Sequence, residues 1–196
     1  MRMTKNLCAV VLTALVATST AFAQERPASP RGMASTQIGS AWIDVEYGRP
    51  ILRGRNGIFG SGDTYGDAFL LGAPLWRVGA DVTTRFKTDV DLMFGDQTLA
   101  AGEYGLFAEL AEDEWTLIFS TWEAKQTFTE ENDDALWGAY SYTPDRDVLR
   151  TTMTVTTRPN AIDQLTIGFA AVSDAGGALY VTWDDQLAVT PFTLGQ

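Results

Sequence analysis

Residues 164–183 read QLTIGFAAVSDAGGALYVTW. Two runs, 164–172 and 178–183, flank Asp174-Ala175-Gly176-Gly177, which has the composition of a tight β-hairpin turn. The same pattern recurs outward from this hairpin. Residues 148–158 form an eleven-residue run with five Thr, and 187–194 closes the chain. Toward the N-terminus, 35–39 and 42–47 read as strands. In the second, Ile43, Val45 and Tyr47 alternate with Trp42, Asp44 and Glu46, the period of a half-buried strand. Residues 82–88 are Thr-rich. Val90, Leu92 and Phe94 alternate with Asp89, Asp91 and Met93 before the Gly95-Asp96 turn. Residues 103–110 and 115–120 are separated by the acidic turn 111–114. Nine or ten short strands with turn signals about every 8–12 residues define an all-β chain. The expected architecture is a single antiparallel β-sandwich of two sheets, with a jelly roll as one variant. No long segment has the 3.6-residue period of a helix, although 133–137 could make one helical turn.

Residues 1–23 have a different character. Arg2 and Lys5 precede the apolar run 7–16, and Ala21-Phe22-Ala23 is a small-x-small site before Gln24. This is the pattern of a cleaved secretory signal peptide, too short to span a bilayer, and it places the protein in the periplasm or the medium. Cys8 lies at the start of the apolar run and not after it, so it is no acylation site. Residues 24–34, with two Pro and small polar residues, read as an extended linker, and 35–196 as the β-sandwich domain. No membrane span is expected in the mature form.

The chain has 196 residues, one Cys, no His, and 14 Lys plus Arg against 25 Asp plus Glu, a net charge of −11. Without Arg2 and Lys5 the balance becomes 12 against 25, or −13, and removal of Cys8 leaves no Cys at all. The absence of His excludes a Ser-His-Asp triad, a Cys-His pair and His-ligated zinc. A mature chain without Cys has no disulfide, no redox pair and no thiolate metal site. The acidic balance argues against nucleic acid. No cofactor and no metal is expected. The Glu130-Glu131-Asn132-Asp133-Asp134 run has oxygen density for Ca²⁺ but lacks the EF-hand spacing and its Gly. Together with Glu112-Asp113-Glu114, Asp145-Arg146-Asp147 and Asp184-Asp185, it reads as a solvated turn. The Gly-rich stretch 60–66 does not have the spacing of a nucleotide loop.

Two stretches are not strands, and both carry Arg. Residues 47–60 contain Arg49, Arg53 and Arg55 among Gly48, Gly54, Gly57 and Gly60, and residues 75–81 contain Trp76 and Arg77. Arg makes planar, bidentate contacts with carboxylate and phosphate and stacks on aromatic rings. One reading is a pocket for a small anion or a carbohydrate, formed by Tyr47, Arg49, Arg53, Arg55, Trp76 and Arg77, with Tyr47 or Trp76 as a stacking platform. The other is that these Arg pair with the chain's carboxylates and brace long loops onto the sandwich. A second candidate element is Trp137-Gly138-Ala139-Tyr140, where Trp137 and Tyr140 follow the acidic run and loop aromatics often bind ligands. Trp137 could equally plug one end of the sandwich.

Several motifs recur in order: Ser29-Pro30-Arg31, Tyr47-Gly48-Arg49-Pro50, Arg53-Gly54-Arg55, Ile58-Phe59-Gly60, Trp76-Arg77-x-Gly79-Ala80, Ala101-Gly102-x-Tyr104 and Trp137-Gly138-Ala139-Tyr140. As a set they resemble the exported bacterial family known as domain of unknown function 2911. The resemblance covers nearly all of the mature chain and implies export and a compact β domain, with no activity attached. Two departures stand out. Residues 61–69 look like an insertion between the Phe-Gly and Trp-Arg motifs, and Asp81 stands where Asn is common. The functional expectation is a non-enzymatic binding module for a small anion or acidic sugar. The alternatives are a carboxylate-dependent glycan hydrolase, which needs two facing carboxylates roughly 5–10 Å apart, and a structural or interaction protein of the envelope.

Overall fold

A computed structural model describes residues 27–195. The expected signal peptide, 1–23, and the first residues of the linker lie outside the described residues. Eleven strands follow in chain order: β1 (Arg31–Ile38), β2 (Ala41–Gly48), β3 (Thr84–Thr88), β4 (Leu92–Phe94), β5 (Gln97–Leu99), β6 (Gly102–Leu110), β7 (Glu114–Ser120), β8 (Glu123–Ala124), β9 (Ala135–Leu136), β10 (Asp147–Ser173) and β11 (Gly176–Leu194). The chain is all-β, as its alternation and turn spacing require. Among the described residues the α-helix is one turn, α1 (Asp67–Leu70), beside two 3-10 turns at Gly62–Thr64 and Pro144–Arg146.

Nine strands form one antiparallel sheet in the order β1-β2-β3-β6-β7-β10-β11-β4-β5, and β8 and β9 form a small parallel pair. Most neighbours are consecutive in sequence. The β4–β5 hairpin is the excursion, crossing to the far side of β11. The two layers of the sandwich are therefore halves of a single sheet. The runs 148–158 and 164–172 join into the 27-residue β10, and 178–183 and 187–194 join into the 19-residue β11. The register of β10 against β11 shifts between Thr157 and Ile162, between Ile162 and Thr166, and between Ala170 and Ser173. Bulges bend a strand without ending it, so this ribbon turns from one layer into the other. Its first part pairs with β7. Further along, its free edge meets the chain leaving β2. Ile51 bridges Gln164, Leu52 N–H donates to the Asp163 carbonyl at 2.7 Å, and Leu165 N–H donates to the Pro50 carbonyl at 3.0 Å. The hairpin turn falls at Asp174-Ala175, closed by the Ser173–Gly176 pair.

Strand β1 begins at Arg31, inside the stretch read as linker, because Arg31 and Gly32 pair with Gly48 and Tyr47 across the sheet. Residues 133–137 make no helical turn. Ala135 and Leu136 are instead strand β9; both are buried, and Leu136 joins Phe107, Ile118 and Trp122 in a small second core. The main core takes Ile43, Val45 and Tyr47 from β2, Leu117 and Phe119 from β7, and Leu165, Ile167, Leu179 and Val181 from the ribbon. At its centre is an aromatic cluster. Phe59 stacks on Trp115 at 5.5 Å between centroids, and Trp76 meets Trp115 edge-on at 5.5 Å. Segment 61–69 contributes Phe69, 5.0 Å from Phe59, and Tyr65, whose hydroxyl accepts from Trp115 Nε1. The segment is largely exposed, and these two partly buried rings tie it to the core.

Candidate functional site

The first six candidate residues do not meet at one place. Tyr47 is buried in the core, where its hydroxyl bonds to the backbone of Ile167. Trp76 is 1% exposed, within the aromatic cluster, and its backbone pairs with Ala108. Neither ring offers a stacking face to a ligand. Arg49 donates from Nε to the Leu165 carbonyl at 3.2 Å and lies over the Tyr47 ring. Arg55 donates to the Leu52 and Ile51 carbonyls at 2.9 and 3.0 Å, capping its own turn. Arg53 is exposed at φ 53°, and its backbone N–H donates to Asp163. Arg77 points elsewhere. The loop arginines bind neither a shared ligand cavity nor buried carboxylates. Arg49, Arg55 and Arg77 bind backbone carbonyls, which are left over wherever the chain leaves a ladder, while the Arg53 side chain is exposed.

The close approaches in the motifs follow the same logic. A Cβ on Gly48 would run into the Ala80 carbonyl, and one on Gly79 would come within 2.8 Å of Thr84 Oγ1. These glycines let the 75–81 loop lie against the end of β2.

Arg77 and the second candidate element, however, come together. The Arg77 side chain is 9% exposed, donates from a terminal nitrogen to the Asp81 carbonyl at 2.9 Å, and lies 5.7 Å from the centre of the Tyr140 ring. Gly138, at φ 65°, gives the guanidinium its room, since a Cβ there would collide with it. Thr83 fixes the opposite side by donating to the Leu136 and Gly138 carbonyls at 3.0 and 2.7 Å. Among the described residues no carboxylate forms an ion pair with Arg77. Burial pushes its pKa below the usual Arg value, opposed by Tyr140 and Asp81. Trp137, half-buried, faces Phe128 edge-on at 6.5 Å, and Phe128 is 71% exposed. Phe128 was not among the sequence candidates. Its signal is a lone aromatic in the polar run Gln126 to Asn132.

The carboxylates are mostly engaged locally. Asp184, expected in a solvated turn, is 2% exposed and accepts the Ile58 N–H at 2.9 Å. Asp147 accepts from the Tyr142 hydroxyl and from Arg150. Within the acidic run, Glu130 accepts from Gln126 N–H, and Asp134 pairs with Arg146 at 2.5 Å. Among the described residues no three acidic side chains are grouped to hold a metal ion, and no helix is long and apolar enough to cross a membrane.

Fold and site define a sandwich-like all-β domain whose long loops are pinned by arginines. The chain belongs to the family described as protein of unknown function DUF2911, whose model matches residues 29–192. The match begins at the residues that lead into β1 and ends near the close of β11. Comparison with curated proteins and with solved structures finds no match.

Proposed function

We propose that this protein is exported, periplasmic or secreted, and acts as a non-enzymatic binding module for a small anion or acidic sugar. The site is Arg77 with Tyr140 and Trp137, and Phe128 extends the aromatic face. The observation that carries this reading is a buried guanidinium with no carboxylate partner among the described residues, in a chain of net charge −11. A buried charge is costly unless it is paired, and Arg presents five donors, more than the Asp81 carbonyl can use. An anion would complete the arrangement, and the adjacent aromatic rings suit the faces of a sugar.

The test is calorimetric titration with glucuronate and inorganic phosphate as charged probes and glucose as the neutral control. Saturable binding of a charged probe, weakened at least about tenfold by Arg77→Ala through loss of charge-assisted hydrogen bonds, supports the reading. Trp137→Ala, at the half-buried ring, should weaken glucuronate more than phosphate. Absence of binding by either charged probe overturns it.

A second reading, a structural protein of the envelope, draws on Arg49, Arg55, Arg77 and Arg85, all of which donate to backbone carbonyls. It predicts that Arg77→Ala lowers the unfolding temperature while no probe binds the parent protein. The glycan-hydrolase alternative gains nothing from Asp184 or Asp147, since each already accepts hydrogen bonds from fixed donors.

A further inference from the structure

The outward side of the β10–β11 ribbon carries a groove of about 430 Å³, within the size range of small-molecule sites. Arg158, Ile162, Thr166, Tyr180, Leu187 and Val189 line it. The groove exists because the ribbon bends. Two register shifts bracket Ile162, and opposite it Asp184 takes a left-handed conformation, φ 52°. Alternation then sets the faces. Leu165, Ile167, Leu179 and Val181 point into the core, so Thr166, Tyr180 and Thr182 point out into the bend. Bulges and non-Gly residues held at positive φ are frequent beside binding sites.

The cation at the groove is Arg158. Among the described residues its buried Nε has no hydrogen-bond partner and its guanidinium forms no ion pair. Arg49, Arg55 and Arg77 of the loops and Arg146 and Arg150 beside β10 each have a side-chain partner, whereas Arg53, also without one among the described residues, lies exposed on a turn. An unsatisfied buried donor marks a guanidinium that the fold itself does not engage, and Arg158 is only partly buried where it lines the groove. Apolar walls beside an unpartnered guanidinium complement one class of molecule, an anion with an apolar body. Arg favours a carboxylate through its planar pair of N–H donors. The geometry points to this groove as a binding site for a small amphipathic carboxylate, its headgroup on Arg158 and its hydrocarbon along Ile162, Leu187 and Val189. This site is on the ribbon and is independent of the Arg77 reading.

The experiment is titration of the protein with octanoate, octanol and acetate, followed by backbone chemical shifts. Octanoate should bind saturably, with shifts concentrated on β10 and β11. Octanol, lacking the charge, and acetate, lacking the chain, should each bind at least about tenfold more weakly. Arg158→Gln should remove the preference for octanoate over octanol while the unfolding temperature holds. Val189→Glu places a carboxylate inside the groove and should abolish octanoate binding by occupying Arg158. Failure of the parent protein to bind octanoate overturns the proposal. So does equal binding of octanoate and octanol, or octanoate affinity unchanged in both variants. Glucuronate binding at Arg77 should be unaffected by either variant, so the two sites fail or succeed separately.

Discussion

The Tyr47 hydroxyl accepts the backbone N–H of Ile167 at 2.9 Å and lies 3.3 Å from the Ile167 carbonyl, joining β2 to the second half of β10 across 120 residues of sequence. Here β10 has left β7 and has no other strand on this edge, so the hydroxyl serves as the missing ladder partner. Beside it, Arg49 and Pro50 satisfy Leu165. Together these contacts close the curled sheet on itself.

Tyr47→Phe keeps the buried ring and orphans the Ile167 N–H. The expected loss is about 2 kcal/mol, the cost of an unsatisfied buried donor. For a chain of this size that lowers the unfolding temperature by roughly 4–8 °C. Denaturant unfolding should show a lower midpoint with an unchanged slope. A variant as stable as the parent would mean that the sheet is not held closed at this point.

Gly138→Ala tests the contact between the two halves of the candidate site. The position needs φ near 65°, and the added methyl would collide with the Arg77 guanidinium. Backbone strain and the displaced cation together should cost about 2–3 kcal/mol. Under the binding reading the same change also weakens glucuronate. Thermal unfolding and titration on one preparation separate the two effects.

The strands were legible where one face is buried. The alternation of Ile43, Val45 and Tyr47 puts all three in the core, and the turn at Asp174-Ala175 lies where its composition predicts. Asp89 and Asp91 are exposed, as alternation required. What was not legible depends on partners distant in sequence. Residues 159–163 open with Pro159-Asn160 and end in Asp163, so they read as a break, yet Ile162 pairs with Asp184 and β10 continues through them. The Arg49, Arg53 and Arg55 cluster looked like a site because the three are close in sequence. Positive φ at Arg53 and Gly54 turns the chain between them, and the Leu165 carbonyl that fixes Arg49 is 116 residues away. Arg77 and Tyr140 were both visible as candidates, but only the packing of the 75–81 loop against Gly138 makes them neighbours. Arg158 was read as the end of a strand, and its groove exists only because the ribbon bends.

Asp184 illustrates a further correction with a measurable consequence. Its carboxylate holds the Ile58 N–H at 2.9 Å, anchoring the Arg-rich loop to the bend in β11. Asp184→Ala removes the acceptor and leaves a residue poorly suited to φ 52°, so it should cost about 2–4 kcal/mol. Asp184→Asn keeps a carbonyl acceptor and tolerates the left-handed conformation, and should recover more than half of that loss. Hydrogen exchange at Ile58 gives the direct readout: fast in the Ala variant, protected in the Asn variant.

Tyr142 supplies the pH dependence. Burial, then the hydrogen bond from its hydroxyl to Asp147, raises its pKa well above the ordinary Tyr value. The fold therefore favours the protonated phenol. That contribution is complete below about pH 10, the unfolded value, and is lost as pH rises through the higher folded value. Stability should thus fall above about pH 10, and in Tyr142→Phe the fall should be shallower because one proton-linked group is gone. At neutral pH the same variant loses the bond to Asp147, which still has Arg150 at 2.8 Å. The Tyr is half-buried, so screening limits the neutral-pH loss to about 1 kcal/mol. Unfolding midpoints of both proteins between pH 7 and pH 11 check the sign: the two curves should converge toward the alkaline end. Parallel curves would place the alkaline loss in other groups.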